Sequence, residues 1–193
     1  MKKILILIIA CLSTFAYSKP KKISPDISVI DPDMAIIVTD IDGNGKRTGT
    51  KKVNVEPGIH KITCNVNCGA GYAGNVKTVI YSEAGKSFDL YLFLERSSNK
   101  FAIVQKSHPY IREEFEKPVE TKSTEKKIPI LADFPTDRKF TILTSAEIWT
   151  DFSDKDFFNR RFLSIAEEQE ADAIVKPVFF DYCAYCLMIK FTD

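Results

Sequence analysis

Four cysteines fall in two close pairs, Cys64-x-x-x-Cys68 and Cys183-x-x-Cys186, and a fifth, Cys11, lies near the N-terminus. Thiols at such spacings can chelate zinc, cycle as a redox couple or form structural disulfides. Zinc ribbons use two C-x-x-C knuckles, and only the second pair has that spacing. A redox couple sits at a helix N-terminus, where the dipole lowers the thiol pKa. The Cys183 and Cys186 pair sits instead between two strand patterns. In an oxidising compartment four cysteines more often form two disulfides, so Cys64, Cys68, Cys183 and Cys186 are expected to be bridged. Four residues of strand span about 13 Å against a bridging limit of roughly 7 Å, so a Cys64–Cys68 bond requires a turn. Asn65, Asn67 and Gly69 supply turn chemistry there, and Ala184-Tyr185 could form a two-residue hairpin bringing Cys183 opposite Cys186. A bridge between the two halves of the chain is the alternative connectivity.

Asp40-x-Asp42-x-Asn44-Gly45 reproduces the first half of an EF-hand calcium loop, in which alternate oxygens converge on one hard cation. Its twelfth position is Lys51 where a bidentate Glu is needed, and a hairpin turn explains Asp-Gly and Asn-Gly equally well. Asp40, Asp42 and Asn44 remain the one set of oxygens that a metal could use. Gly69-Ala70-Gly71-Tyr72-Ala73-Gly74 matches G-x-G-x-x-G, but strand-type residues follow it where a dinucleotide site opens a helix. It reads as a glycine-rich hairpin loop. The two histidines, His60 and His108, sit beside no serine or cysteine at a spacing that implies catalysis. No cofactor is expected.

Of 193 residues, 27 are Lys or Arg and 26 Asp or Glu. A net charge of +1 argues against non-specific nucleic-acid binding, which needs a basic surface. At 45% hydrophobic the composition is globular, with no integral membrane span expected. Lys2-Lys3, the apolar run Ile4–Phe15 and Ala16-Tyr17-Ser18 make residues 1–18 a secretory signal peptide. Cleavage after Ser18 implies a periplasmic or secreted protein. A competing reading takes Ile8-Ile9-Ala10-Cys11 as a lipobox, with Cys11 lipidated and the chain anchored at the outer membrane; its h-region is short.

The elements that must position these residues divide at a charged stretch. After a polar lead-in (19–33), residues 34–105 hold short strand patterns at Ala35–Thr39, Lys52–Val55, Ile59–Val66, Val76–Tyr81, Phe88–Leu94 and Phe101–Val104. Turn residues separate them, which favours an antiparallel β-sandwich. Residues 106–138, with four prolines and dense charge, read as a mostly irregular linker. Residues 139–193 read as a β-α-β-β domain. Phe140–Trp149 is a strand with Phe140, Ile142, Ala146 and Ile148 on one face. Ser153 or Asp154 caps a helix carrying Phe158, Phe162, Ile165 and Ala166, and strands Ala173–Phe180 and Cys186–Phe191 follow. Pro177 places its strand at an edge or at a bulge. Trp149 and Phe157-Phe158 read as core. The fold class is α+β, mostly β.

Ile41-Asp42-Gly43, Val55-Glu56-Pro57-Gly58-Ile59-His60 and Glu83-Ala84-Gly85-Lys86 before Phe88–Leu92 resemble the PEGA-like β-sandwich modules of bacterial envelope proteins. A helix ending in Ala171-Asp172-Ala173-Ile174-Val175, followed by a cysteine-bearing hairpin, is similar to the β-α-β-β domains of small bacterial envelope lipoproteins. Both resemblances imply a non-enzymatic binding, sensing or scaffolding role, with an envelope protein or cell-wall component as partner. The competing expectation is a calcium- or zinc-dependent protein, or a hydrolytic enzyme of the periplasm.

Overall fold

The computed structural model describes residues 28–32, 35–45, 52–67, 71–95, 97–98, 100–120 and 127–192, with side chains described from Ala35 onward. The expected signal peptide, Cys11, most of the lead-in and Cys68 lie outside the described residues. The protein is mostly β, with a single helix among the described residues.

The N-terminal half supplies β1 (Ser28–Pro32), β2 (Ile36–Ile41), β3 (Val53–Val55), β4 (Gly58–Asn67), β5 (Tyr72–Ser82), β6 (Ser87–Glu95) and β7 (Lys100–Lys106). One sheet is β2-β4-β5, antiparallel throughout; the other is β3-β1-β6-β7. Alternation sorts β4: Ile62, Cys64 and Val66 point inward, where they meet Ile36 and Val38 of β2 and Leu90 of β6 in one core. β1 falls within the expected lead-in and pairs in parallel with β6, so this half is not purely antiparallel.

The C-terminal half contains β10 (Phe140–Thr150), the helix α1 (Lys155–Glu168), β11 (Ala173–Phe179) and β12 (Cys183–Phe191), in the expected β-α-β-β order. Asp154 is the N-cap, its carboxylate accepting the Phe157 N–H at 3.0 Å. The stretch expected to be irregular contributes two more strands, β8 (Tyr110–Phe115) and β9 (Ile130–Leu131). They pair in parallel with β10 and β11 and form the edges of a five-stranded sheet, β8-β10-β12-β11-β9. Charge concealed the alternation of β8. Ile111 and Phe115 pack on the helix-side core, and between them Glu113 receives two hydrogen bonds from Arg161 of α1, at 2.5 and 2.7 Å.

A register shift between Ile142 and Thr144 breaks the pleat of β10. Phe140 and Ile142 therefore face one side of the sheet, while Ala146 and Ile148 face the helix, and the single apolar face expected for these four residues is corrected to two. In β11 the shift falls between Val175 and Val178, around Lys176 (φ 51°) and Pro177. The bulge expected at Pro177 is there, in a strand flanked by β9 and β12.

A third apolar cluster joins the halves. Phe93 and Val104 of the N-terminal strands pack with Phe140, Phe180, Tyr185 and Leu187. Gln105 of β7 organises its polar seam. Its side-chain amide donates to the Tyr81 carbonyl at 2.6 Å and accepts the Tyr81 N–H at 2.9 Å, standing in for a strand's peptide group. The Gln105 carbonyl in turn accepts the buried Tyr185 hydroxyl.

Replacing Gln105 by Leu strands the Tyr81 N–H and carbonyl, and an unsatisfied buried polar group costs about 1–3 kcal/mol. Gln105→Leu should therefore lower the stability from urea unfolding by about 2–4 kcal/mol, and Tyr185→Phe by about 1–2 kcal/mol. A Gln105→Leu protein as stable as the parent would remove the amide as the seam's organiser.

Candidate functional site

Cys183 and Cys186 lie in one strand, three residues apart, and so point to opposite faces: Cys183 into the shared core and Cys186 toward the helix. Ala184 and Tyr185 are inside that strand. The reversal occurs at Asp181-Tyr182, closed by the Phe180 N–H donating to the Cys183 carbonyl at 2.8 Å. The expected Cys183–Cys186 bridge is thus corrected; both thiols are free. Cys64 is also free and buried, and its expected partner Cys68 lies outside the described residues.

Burial pushes the Cys64 thiol up to about 12. Burial also pushes Cys183 up to about 12, aided by the carboxylates of Glu95, Glu147 and Asp181, and raises Cys186 well above its ordinary value. All three are fully buried within apolar clusters, where they pack as small core residues.

The calcium-like oxygens are occupied by N–H groups. The two carboxylate oxygens of Asp40 accept the Gly43 and Gly45 amides at 2.8 and 2.5 Å. Asp42 accepts the Lys61 N–H at 2.8 Å and lies 2.7 Å from His60 Nδ1. Burial alone would raise the Asp42 carboxyl, but the bonds from His60 and Lys61 outweigh it and hold it low. Asn44 caps the same reversal through its backbone, its N–H reaching the Ile41 carbonyl at 3.1 Å. This is a closed turn cap. Among the described residues no group of three His, Cys, Asp or Glu is placed to hold a metal ion.

A cleft of about 830 Å³ opens where the halves meet. Tyr91 and Glu95 of β6 form one wall, Arg112 of β8 and Trp149 of β10 the other, with Asp151 and Tyr182 at its rim. The Trp149 ring is held edge-on by Phe93, with centroids 5.7 Å apart, and the Arg112 guanidinium lies over it at 5.6 Å. Beneath them Glu147 is 1% exposed. Its Oε1 accepts the indole N–H and faces Arg112 Nη1 at 3.6 Å, while Oε2 has no hydrogen-bond partner among the described residues. Glu95, equally buried, accepts the Tyr182 N–H at 2.7 Å and the Ser98 hydroxyl. An adjoining cavity of about 460 Å³ continues along Arg112, Glu114 and Glu116. Arg112 reaches Glu114 Oε1 at 2.7 and 3.0 Å, a contact that raises its pKa further.

None of the described residues singled out in the sequence for chemistry lines this cleft. Trp149, expected in the core, lines it and is only partly buried. Arg112 lay in the presumed linker, and Glu95 and Tyr182 carried no motif. The available signals were the alternation of Tyr110–Phe115 and a lone tryptophan at a strand end next to Asp151. The cleft offers stacking faces and fixed charges.

Raised thiol pKa values are a stability statement. An unfolded chain ionises these cysteines near 9.0, whereas the fold keeps Cys64 and Cys183 protonated to about 12. The contribution is therefore complete below pH 9.0 and is lost as pH rises through the window up to about 12. Unfolding midpoints should fall with pH in that window, and less steeply in a Cys64→Val, Cys183→Ala protein. Iodoacetamide should modify Cys183 and Cys186 only in denaturant, and a non-reducing peptide map linking these two would overturn the assignment.

No family model, no curated protein and no solved structure matches this chain.

Proposed function

We propose that this chain is an exported, non-enzymatic protein of the bacterial envelope that binds a partner, an envelope protein or a cell-wall component, through the cleft between its halves. The single observation that carries the reading is the grouping of Trp149, Arg112 and the 41%-exposed Tyr182 around one cavity. Aromatic rings and arginine are the groups enriched where binding energy concentrates. The cysteines, protonated and buried, support a structural role for the thiols rather than a redox or hydrolytic one. Export rests on Lys2-Lys3, the Ile4–Phe15 run and Ala16-Tyr17-Ser18. The core shared by β2-β4-β5 and β3-β1-β6-β7 supports reading them as the two layers of a β-sandwich, with β1 a parallel addition.

Two measurements test this proposal. Intact mass of the processed protein should correspond to a chain beginning at Lys19; acylation at Cys11 would replace simple cleavage by lipid anchoring. Tagged protein should recover a defined component from envelope extract, and a Trp149→Ala, Tyr182→Ala protein should lose it while keeping the parent's urea midpoint. Unchanged recovery by the folded double variant would remove the cleft as the binding site.

A further inference from the structure

Resting on that reading of the cleft, we propose that its occupant is an extended basic peptide segment, carrying Lys or Arg at alternate positions, that adds as a strand to the outer edge of β8. β8 is the last strand of its sheet and pairs only with β10 among the described residues. The Phe115 carbonyl accepts the Asp151 N–H at 3.1 Å, which turns the peptide groups of Ile111, Glu113 and Phe115 toward β10. Strand alternation then turns those of Arg112 and Glu114 outward, where both residues are exposed. An added strand takes its affinity from such main-chain groups and its specificity from pockets for alternate side chains.

The charge of those pockets selects the partner. Among the described residues that line the two adjoining cavities, Glu95, Glu114, Glu116 and Asp151 stand against Arg112, while the neighbouring Lys106 ammonium lies over the Tyr91 and Tyr110 rings at 4.9 and 3.5 Å. Arg112 is already committed to Glu114 and Glu147. Glu147 adds a buried oxygen without a hydrogen-bond partner beneath it. Asp151 and Glu116 are exposed and make no ion pair among the described residues. Trp149 and Tyr182 beside them offer ring faces to the aliphatic stem and cationic head of a lysine or arginine. Like-charge contact disfavours an acidic segment at the same edge.

Trp149 is the only tryptophan of the chain, so its emission reports on the cleft directly. The probe is acetyl-Val-Lys-Val-Lys-Val-Lys-amide, titrated into the full exported chain. It should change Trp149 emission saturably, while the peptide with Glu at the lysine positions binds at least about tenfold more weakly. N-methylation of the probe's alternate amides should weaken binding by a similar factor, because it removes the main-chain bonds. An Asp151→Asn, Glu116→Gln protein should bind about three- to tenfold more weakly at low salt, and the difference should shrink as salt screens the rim. Equal titration by the Lys and Glu peptides, indifference to N-methylation, or a doubled mass showing β8 paired with a second copy would each overturn the proposal. If the Lys probe fails while the Trp149→Ala, Tyr182→Ala protein still loses its captured component, the partner class falls and the cleft stands. If both fail, the cleft reading falls with it.

Discussion

Everything in this molecule answers to one strand buried on both faces. Seven consecutive residues of β12, Cys183–Ile189, are buried. Cys183, Tyr185, Leu187 and Ile189 face the core shared with the N-terminal strands, and Ala184, Cys186 and Met188 face α1. A strand in that position needs a layer on each side, because neither face can be left to water without forfeiting its apolar burial. The helix covers one face, and β5, β6 and β7 cover the other. The cysteines belong to the same logic. On a strand with two dry faces a thiol is a compact, weakly polar filler, and burial, aided by the carboxylates near Cys183, keeps that thiol protonated.

How the elements meet was less legible than the elements themselves. Local alternation located β2 to β7 to within a few residues, and the Asp154 cap with the Phe158–Ala166 stripe located α1, because both signals are contained in short windows. Pro177 announced its bulge, since it has no N–H to give a ladder. The bulge in β10 carried no such mark: Ile142 and Thr144 look like any strand residues, and a single extra residue reverses the faces beyond them. The hairpin was misplaced for a related reason. Two cysteines invited a turn between them, although Asp181 was the residue with turn chemistry.

The cleft was illegible because it is a meeting of distant segments. Glu95, Arg112, Trp149 and Tyr182 are drawn together by the shared core, and no spacing within any one stretch encodes that. Charge also misled. In β8 the consecutive Arg112, Glu113 and Glu114 looked like a solvated tether, yet Arg161 of the helix holds Glu113 on one face and Arg112 pairs with Glu114 on the other. Buried Glu95 and Glu147 show the same economy in reverse. Glu95 accepts two hydrogen bonds, while Glu147 accepts one and faces Arg112, both close to the cleft, where their placement shapes the local field.

The shared core has a consequence for how such a chain can evolve. Protein modules spread by recombination at linkers, which succeeds when each module folds alone. Here a crossover anywhere in residues 106–138 would separate Phe93 and Val104 from Phe140, Phe180 and Tyr185, and one beyond Phe115 would also cut β8 from the sheet it borders. Neither product would inherit a complete set of partners. The two halves must therefore be inherited as one piece: Phe140 and Ile142 should covary with the N-terminal strands across the shared core, whereas Ala146 and Ile148, just past the bulge, should covary within their own half, with the helix.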